Sequence, residues 1–337
     1  MNAQTSPNSE SIAPKRNRDS AELTVIIVSY NTRELTVKAL ETLYATTHET
    51  AFHAVVYDNA SEDGSAEAIR KQFPQATLID ASENIGFAAA NNEVAKIAAT
   101  EWLLLLNPDT ECHAGAVDEL LKFGMAHPES GIYGGRTVYP DGSLNIGSCW
   151  NQMTPWSLLC SALGLSALLP ESAIFNSEAL GGWKRDTVRN VDIVVGCFFL
   201  IRRALWNELN GFDRRYFMYG EEADLCLRAR KMGYHPMITP DAQIMHLLGA
   251  ASPNKSRKLI QLQKAKVTLI EDHWSAVLHP VGRALLRLWA ANRLVASHVL
   301  RFLARGSGSK KAEERLSLWR EVWHARKDWL KGYNVSS

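Results

Sequence analysis

The chain has 337 residues, of which 46% are hydrophobic, so it holds enough apolar material for one large domain and an extension. Its five cysteines lack the spacing of a disulfide framework or a zinc site, which excludes both of those classes. The formal net charge of +1 hides an asymmetry, because from Lys255 onward 17 Lys and Arg stand against 6 Asp and Glu, an excess of 11 positive charges.

The chain begins with a polar segment, residues 1–21, that includes Pro14-Lys15-Arg16-Asn17-Arg18 and has no apolar centre. Such a segment cannot bury enough apolar surface to fold, and it lacks the apolar stretch of a secretory signal. We predict a disordered tail over residues 1–21. Together with the cysteine pattern, this favours a cytoplasmic protein.

Apolar, β-branched runs then alternate with helical patterns. Strands are predicted at Leu23–Asn31, Phe52–Asn59, Thr77–Asp80 and Trp102–Leu106, with helices at Arg33–Tyr44, from Ser65 to about Phe73, and at Phe87–Ala99. This alternation predicts an α/β fold, in which a parallel sheet is covered by helices on both faces.

Acidic and small polar residues follow the predicted strands, where ligands bind in open α/β sheets. The segments are Ser29–Asn31, Asp58–Ser65 and Asn107–Thr110. The first turn has no glycine, which argues against the pyrophosphate loop of a dinucleotide-dependent oxidoreductase. If a nucleotide diphosphate binds, Asp109 could hold a divalent metal that bridges the phosphates.

The next part of the chain has a helix over residues 114–126, a strand and turn near residues 132–143, and a largely irregular segment that carries Trp150, Trp156 and Trp183. Aromatic faces pack on sugar rings, so this segment could bind a carbohydrate, although ordinary core tryptophans would give the same pattern. Within it, Pro155–Leu169 is predicted to be an apolar helix, too short to cross a bilayer. A strand is expected over Val191–Arg203.

Three carboxylates then lie within four residues, at Glu221, Glu222 and Asp224, behind the turn Tyr219-Gly220. A helix N-terminus favours negative charge, so this is a suitable place for a catalytic carboxylate, or merely an acidic first turn. Asp224 and Arg228 are one helical turn apart and could pair structurally. A last strand, Met237–Met245, precedes His246.

These motifs together resemble glycosyltransferase family 2, and more narrowly its bacterial rhamnosyltransferase-like branch. The resemblance covers roughly residues 23–250 and is carried by Val28–Asn31, Asp58–Ser65, Asn84–Phe87, Leu106–Asp109 and Glu221–Asp224. It implies an inverting enzyme with a GT-A fold over residues 22–254. It also implies a nucleoside-diphosphate sugar as donor, with dTDP-rhamnose the expected one.

The resemblance further implies roles for individual residues. Asp58 would read the base, and the nucleotide pocket would be lined by Ser29, Tyr30, Asn31, Asp63, Gly86, Asn91 and Asn107. Asp109 matches the last acid of the family's metal motif, whereas Asn107 replaces the first, and a divalent metal, Mg²⁺ or Mn²⁺, is the expected cofactor. His246 matches a histidine near the diphosphate and could bind the metal or a phosphate.

Inverting transfer needs a carboxylate that removes a proton from the acceptor hydroxyl. Glu222 matches the family's base, although the family has Asp at that position, and Glu221 or Asp224 is the alternative. Trp183, Glu221 and Asp224 are the candidates for the acceptor site. The acceptor is expected to be lipid-linked or a polysaccharide of the bacterial cell surface.

The extension, residues 255–337, includes a long apolar helix over Val281–Arg305 that is interrupted by five arginines, Arg283, Arg287, Arg293, Arg301 and Arg305. At about 100° per residue, four of them cluster within about 40°, with Arg293 some 80° away. We predict a basic amphipathic helix on the inner face of the cell membrane. A helix packed on the domain or on a second subunit is the alternative. No nucleic-acid module is recognisable.

Two functional hypotheses follow. The favoured one is a membrane-associated sugar transferase, and the other is a catalytically silent GT-A module that binds a nucleotide sugar or a partner protein.

Overall fold

A computed structural model describes residues 21–247, 254–304 and 308–333. The predicted N-terminal tail, apart from Ala21 at its end, lies outside these residues, as does Arg305. The strands are β1 (Leu23–Ser29), β2 (Phe52–Asp58), β3 (Thr77–Asp80), β4 (Trp102–Leu106), β5 (Thr110–Cys112), β6 (Ile132–Val138), β7 (Leu144–Asn145), β8 (Cys149–Trp150), β9 (Arg189–Asn190), β10 (Ile193–Val194), β11 (Phe198–Arg202) and β12 (Met237–His246).

The helices follow the same alternation in the first half and then dominate the end of the chain. They are α1 (Arg33–Thr46), α2 (Ser65–Gln72), α3 (Phe87–Ile97), α4 (Ala116–Ala126), α5 (Pro155–Leu163), α6 (Leu165–Leu168), α7 (Arg203–Glu208), α8 (Glu221–Lys231), α9 (Lys255–His273), α10 (His279–Leu303), α11 (Gly308–His324) and α12 (Arg326–Trp329).

The main sheet has the order β3-β2-β1-β4-β11-β6-β12-β5, with β7 beside β6 and β9 beside β12. Strands β1 to β4 pair in parallel, whereas β11 runs antiparallel to both β4 and β6. Successive residues of β1 enter different cores, Ile26 on one face and Val25 and Ile27 on the other. Both faces are therefore covered, which is why the strands read as continuous apolar runs.

The parallel register brings the strand ends together at one edge of the sheet. Ser29 is level with Asp58, and Asp58 with Asp80. Strand β4 ends at Leu106, which faces Phe198 at the start of β11. The polar segments that follow β1, β2 and β4 therefore share this edge, as parallel strands require.

Two predicted elements are wrong in detail. The single helix over Pro155–Leu169 breaks at Gly164, whose φ of +80° ends α5 before α6 begins. The expected strand over Val191–Arg203 is also interrupted, because residues 195–197 form a turn between β10 and β11.

The C-terminal helices pack on the rest of the chain. Helix α10 buries Gly282, Leu286, Ala290 and Ser297 on one side, and its Asn292 donates to the Ala162 carbonyl of α5. Within the described ranges, no helix is both long and apolar enough to span a bilayer.

The arginines of α10 make protein contacts that the sequence did not reveal. Arg283 pairs with Glu271, Arg301 pairs with Glu313, and the Arg293 guanidinium lies 4.6 Å from the centre of the Trp289 ring. Three of the five arginines predicted to lie along the amphipathic helix therefore contact other side chains of the protein.

Candidate active site

The loops after β1 and β2 are tied to each other by hydrogen bonds. The Asn31 amide donates to Ser61 Oγ, and Asn31 Oδ1 accepts from the Glu62 amide, each at 2.8 Å. Asp63 accepts from the Arg33 amide at 2.8 Å and also from Ser65. Asn31 and Asp63 thus shape the edge of the predicted nucleotide pocket through the backbone.

Three predicted pocket residues after these strands differ in how they present their side chains. Asp58 is fully buried, and while its Oδ2 accepts from the Ser61 amide, its Oδ1 has no partner within the described chain. Tyr30 is 47% exposed, so its ring is open to a planar ligand. Ser29 instead points inward, where its hydroxyl bonds Thr32 and Thr36. Its carbonyl is also engaged, because it accepts the Asn59 amide at 2.8 Å.

Gly86 brings the donor side of the site against the loop before the acidic cluster. Its φ is +85°, and a Cβ added there would lie 2.5 Å from the Phe217 carbonyl oxygen. The next amide, that of Phe87, donates to the same oxygen at 2.8 Å. One turn further along α3, Asn91 is buried and its Oδ1 has no partner among the described residues. Glycine is required at position 86 because the two backbones touch.

Asn107, Asp109 and His246 come together where β5 pairs with β12. The Asp109 Oδ1 and His246 Nε2 atoms are 3.3 Å apart, and both side chains are about 5% exposed. Burial disfavours a charged imidazole, but the neighbouring Cys197 sulfur and the Asp109 carboxylate outweigh it and raise the pKa of His246 to about 10. The backbone amide of Asn107 donates to the Cys197 carbonyl.

The turn at Gly196 and Cys197 joins this group to the acidic helix, and the sequence did not identify it. Cys197 contacts Asn107 through its backbone and His246 through its sulfur. A Cβ on Gly196 would lie 3.6 Å from the Phe87 ring and 3.9 Å from Glu222 Cβ. A glycine inside a predicted strand is a signal of close approach and could have indicated this turn.

Glu221 and Glu222 begin α8 and are both held in a low-polarity environment. Burial raises the pKa of Glu222, and burial together with repulsion from Glu222 raises the pKa of Glu221 well above its ordinary value. Glu221 is the more enclosed, at 4% exposure, whereas Glu222 is half-buried. Repulsion between adjacent acids thus adds to the effect of burial at Glu221.

Asp224, an alternative from the sequence, is used by the fold. Its Oδ2 pairs with Arg228 Nε at 2.8 Å, and its Oδ1 pairs with His273 Nε2 of α9 at 2.9 Å. Although burial opposes ionisation, these partners hold the pKa of Asp224 below its ordinary value. Both oxygens are engaged, so the structural pairing describes Asp224 better than an acceptor-site role does.

Trp183 is half-buried beside two arginines. The guanidinium groups of Arg185 and Arg189 each lie 5.1 Å from its ring centre, and its Nε1 donates to Thr187. A contact with an acceptor sugar would have to share the ring with these cations, so Trp183 stays a prediction.

Buried polar atoms without a partner collect at these predicted residues. Within the described ranges they include Asp58 Oδ1, Asn91 Oδ1, Asn107 Oδ1, Glu221 Oε2, Glu222 Oε2 and His246 Nδ1, while others, such as Trp102 Nε1 and Gln263 Oε1, lie elsewhere. A buried polar atom that lacks a hydrogen bond costs about 1–3 kcal/mol. Their concentration along one edge of the sheet indicates a site built to bind a polar ligand.

The same residues fit a divalent metal. Asp109 offers a carboxylate and Asn107 an unpaired amide oxygen, while His246 would offer an imidazole once a bound metal displaces the proton that the metal-free site favours; Mn²⁺ and Mg²⁺ accept this donor set in part. In the part of the chain that the structure describes, no three His, Cys, Asp or Glu side chains gather into one group. The remaining ligands would have to come from the donor phosphates or water.

Comparison with known proteins shows to which family the chain belongs. The family model described as glycosyl transferase family 2 matches residues 24–209, more than half of the chain. An N-acetylglucosaminyl-diphospho-decaprenol L-rhamnosyltransferase from Mycobacterium tuberculosis is 28% identical over 242 residues, which cover 66% of this chain and 75% of that protein. The rhamnosyltransferase WbbL from Escherichia coli is 29% identical over 238 residues, 66% of this chain and 82% of WbbL.

A solved structure shares the architecture. The mannosyltransferase PcManGT from Pyrobaculum calidifontis, in complex with GDP-Man and Mn²⁺, superposes with a TM-score of 0.54 at 19% identity, over 96% of this chain and 88% of that one. This likeness confirms the GT-A fold predicted from the sequence.

Proposed function

This chain belongs to glycosyltransferase family 2 and is a glycosyltransferase, and from that premise we propose that it transfers rhamnose from dTDP-rhamnose with inversion. The proposed acceptor is a hydroxyl group of a lipid-linked molecule or a polysaccharide in bacterial cell-surface glycan synthesis. The donor and acceptor are suggested by the relatives, two of which are named as rhamnosyltransferases. The catalytically silent module is not favoured, because the relatives are named as enzymes.

The observation that carries the proposal is the row of unpartnered buried polar atoms at the sheet edge. Asp58 Oδ1 lies at the end of β2, Asn107 Oδ1 and His246 Nδ1 at the ends of β4 and β12, and Glu222 Oε2 at the start of α8. In our proposal a nucleoside diphosphate runs along this row. Asp58 accepts a hydrogen bond from an imide N–H of the base, and Tyr30 packs on the base.

Asp109, His246 and Asn107 would hold the metal beside the diphosphate. When bound, a divalent cation neutralises the negative charge that develops on the leaving nucleoside diphosphate. The three side chains lie at the end of the row opposite Asp58, next to Cys197 and hence close to Glu222. In this proposal the sugar lies between the diphosphate and Glu222.

Glu222 acts as the base in this proposal. The acceptor oxygen forms a bond to the anomeric carbon as its proton passes to Glu222, and the bond from that carbon to the diphosphate oxygen breaks on the opposite face. Because burial raises the pKa of Glu222, its carboxylate is a better proton acceptor than an exposed glutamate.

A screen of nucleotide sugars tests the donor assignment. The enzyme is incubated with a synthetic lipid-linked N-acetylglucosaminyl diphosphate and either dTDP-rhamnose, UDP-glucose or GDP-mannose, with Mn²⁺, Mg²⁺ or a chelator. We expect dTDP-rhamnose to give the highest kcat/KM and a product of inverted anomeric configuration. Turnover with another donor alone would reassign the sugar, and no turnover with any donor or acceptor would support the silent module.

We further propose that the enzyme associates with the inner face of the cell membrane through α10. Opposite its buried side, α10 exposes an apolar ridge, which consists of Val281, Leu288, Val295, Val299, Phe302 and Leu303. Phe302 is 88% exposed and Val295 is 60% exposed. Such a contiguous apolar surface on a helix marks an interaction site.

An anionic bilayer is the partner that fits both properties of the extension. The ridge can enter the interfacial region, and the 11 excess positive charges after residue 254 attract anionic headgroups. The acceptor proposed above is also lipid-linked. A second copy of the chain could cover the ridge as well, but it would not use the positive charge.

Vesicle flotation of the full chain tests this placement. Wild type should float with phosphatidylglycerol-containing vesicles and much less with phosphatidylcholine alone, and salt should weaken binding without abolishing it. Val299→Glu with Phe302→Glu should reduce partitioning at least about tenfold, since both carboxylates would enter the apolar layer.

The matched control is Ile97→Glu with Met125→Glu. It adds the same charge at exposed apolar positions that lie outside the C-terminal extension. Equal loss in both variants would show that charge alone matters. If wild type stays unbound while its mass in solution doubles with concentration, the ridge is a dimer interface.

A further inference from the structure

The loop that leads into the catalytic helix has a backbone that needs support. Tyr219 has φ of +71° and Gly220 has φ of +92°, so two successive residues are left-handed directly before Glu221. A non-glycine residue in this region costs of order 1 kcal/mol and persists only where neighbouring structure fixes it. We call residues 213–220 the catalytic loop.

One side of the catalytic loop is held by the donor-binding turn. The Phe217 carbonyl accepts the Phe87 amide at 2.8 Å and lies against Gly86. The other side is held by α9. Arg215 Nη2 lies 2.7 Å from Asp272 Oδ2, and a Cβ added to Gly220 would come within 2.9 Å of the Ala265 methyl.

The last described residue of the chain, Tyr333, also reaches the catalytic loop. Its hydroxyl donates to the Met218 carbonyl at 2.7 Å, and its ring packs edge-on against Tyr216 at 5.6 Å between centres. Its own amide donates to Thr268 Oγ1 of α9 at 2.8 Å. Tyr333 therefore links α9 to the loop.

Tyr333 is also close to the acidic pair. Burial, and then the charge of Glu221, raise the pKa of the Tyr333 hydroxyl, so the hydroxyl keeps its proton and remains a donor to Met218. A second link to the acidic helix is made by His273 of α9, which pairs with Asp224 of α8. Loop and catalytic helix are thus both fastened to residues after position 254.

We propose that the C-terminal extension is a working part of the active site, in which Tyr333 and α9 position the catalytic loop so that Glu222 faces the donor. This inference rests on the proposed role of Glu222 as the base. Tyr333 is a positioning residue, since it acts through the loop and need not touch the substrates. The extension would then couple membrane docking through α10 to the geometry of the base.

Tyr333→Phe tests the inference, because it removes one hydroxyl and keeps the ring. We expect amide hydrogen exchange in residues 213–222 to accelerate about tenfold, since the Met218 carbonyl loses its partner. The same variant should lower kcat about tenfold, while the donor KM changes less than about twofold. Asp272→Asn, which removes the charge that faces Arg215, should act in the same direction.

Tyr133→Phe is the matched control. Tyr133 is buried where Tyr333 is half-buried, and its hydroxyl likewise donates to a backbone carbonyl, that of His127 at 2.5 Å, away from the catalytic loop. This control should cost comparable thermal stability and leave both loop exchange and kcat at wild-type values. A merely structural Tyr333 would behave in the same way as Tyr133.

Exchange in residues 213–222 that is unchanged in Tyr333→Phe overturns the inference, whatever the activity. The proposed function fails by a different result, namely an active Glu222→Gln enzyme or no turnover by wild type. Hydrogen exchange needs only the folded chain, so the two failures are distinguishable.

Discussion

Replacing Glu222 by glutamine is expected to lower kcat by about 10²–10⁴, the usual cost of losing a general base. The amide keeps the shape of the side chain but cannot accept the acceptor's proton. Because Glu222 lies beside Gly196 and Phe87 and has no role in the contacts of the nucleotide loops, donor binding should be nearly unchanged. Single-turnover transfer, with calorimetry of dTDP binding, measures both quantities.

Glu221→Gln is the matched control, since it makes the same change one residue away. Glu221 is the more enclosed of the two acids and is not the proposed base, so replacing it by an amide of the same shape should leave most of the rate. If Glu222→Gln turns over like wild type and Glu221→Gln or Asp224→Asn is inactive, the base has been assigned to the wrong acid.

The pH profile of wild type gives an independent measure of the same assignment. Glu222 works only when ionised, and burial raises its pKa above the ordinary value of 4.5. Its charged fraction, and with it kcat/KM, should therefore fall as the pH is lowered through this raised pKa. The acidic limb should lie at a higher pH than an exposed glutamate would give.

Asp109→Ala should weaken nucleoside diphosphate binding in the presence of Mn²⁺ by about 100-fold, and much less with a chelator. Loss of even an indirect metal contact typically costs 10–100-fold in affinity, and Asp109 would be a direct ligand. Calorimetric titration with dTDP under both conditions provides the comparison.

Glu101→Ala is the control for this experiment, because Glu101 precedes β4 whereas Asp109 follows it. Glu101 pairs with Arg202 at the opposite end of the strand. Its loss should not alter the response to metal. Equal dTDP affinity for wild type with Mn²⁺ and with a chelator would contradict the metal site and would leave neutralisation of the diphosphate to protein side chains.

Local sequence determined the first half of the fold because the signals there act over a few residues. Buried parallel strands need unbroken apolar runs, and β1, β2 and β4 have them. The polar segments after these strands had to meet at one edge, since parallel register aligns the strand ends. The sequence therefore predicts that Asp58, Asn107 and Asp109 share one site.

Helix breaks and side-chain orientation depended on neighbours that the local pattern does not reveal. Gly164 could have continued an apolar helix, but it adopts a left-handed conformation and ends α5. Ser29 is the last residue of β1 and is predicted to line the nucleotide pocket, yet its hydroxyl bonds Thr32 and Thr36 inside the protein. Both outcomes are set by how the next segment packs.

The sequence by itself determined the family, the sheet edge and the acidic cluster, because short-range apolar patterns and motif residues encode them. Only the tertiary structure decided that Asp224 is engaged by the fold, whereas Glu221 and Glu222 each keep an oxygen without a partner among the described residues. It joins Asp224 to His273, 49 positions later, and brings Tyr333 to the Met218 carbonyl, 115 positions earlier. It also turns the apolar ridge of α10 outward. Contacts between residues so far apart in the chain arise from the packing of whole helices, which no local pattern specifies.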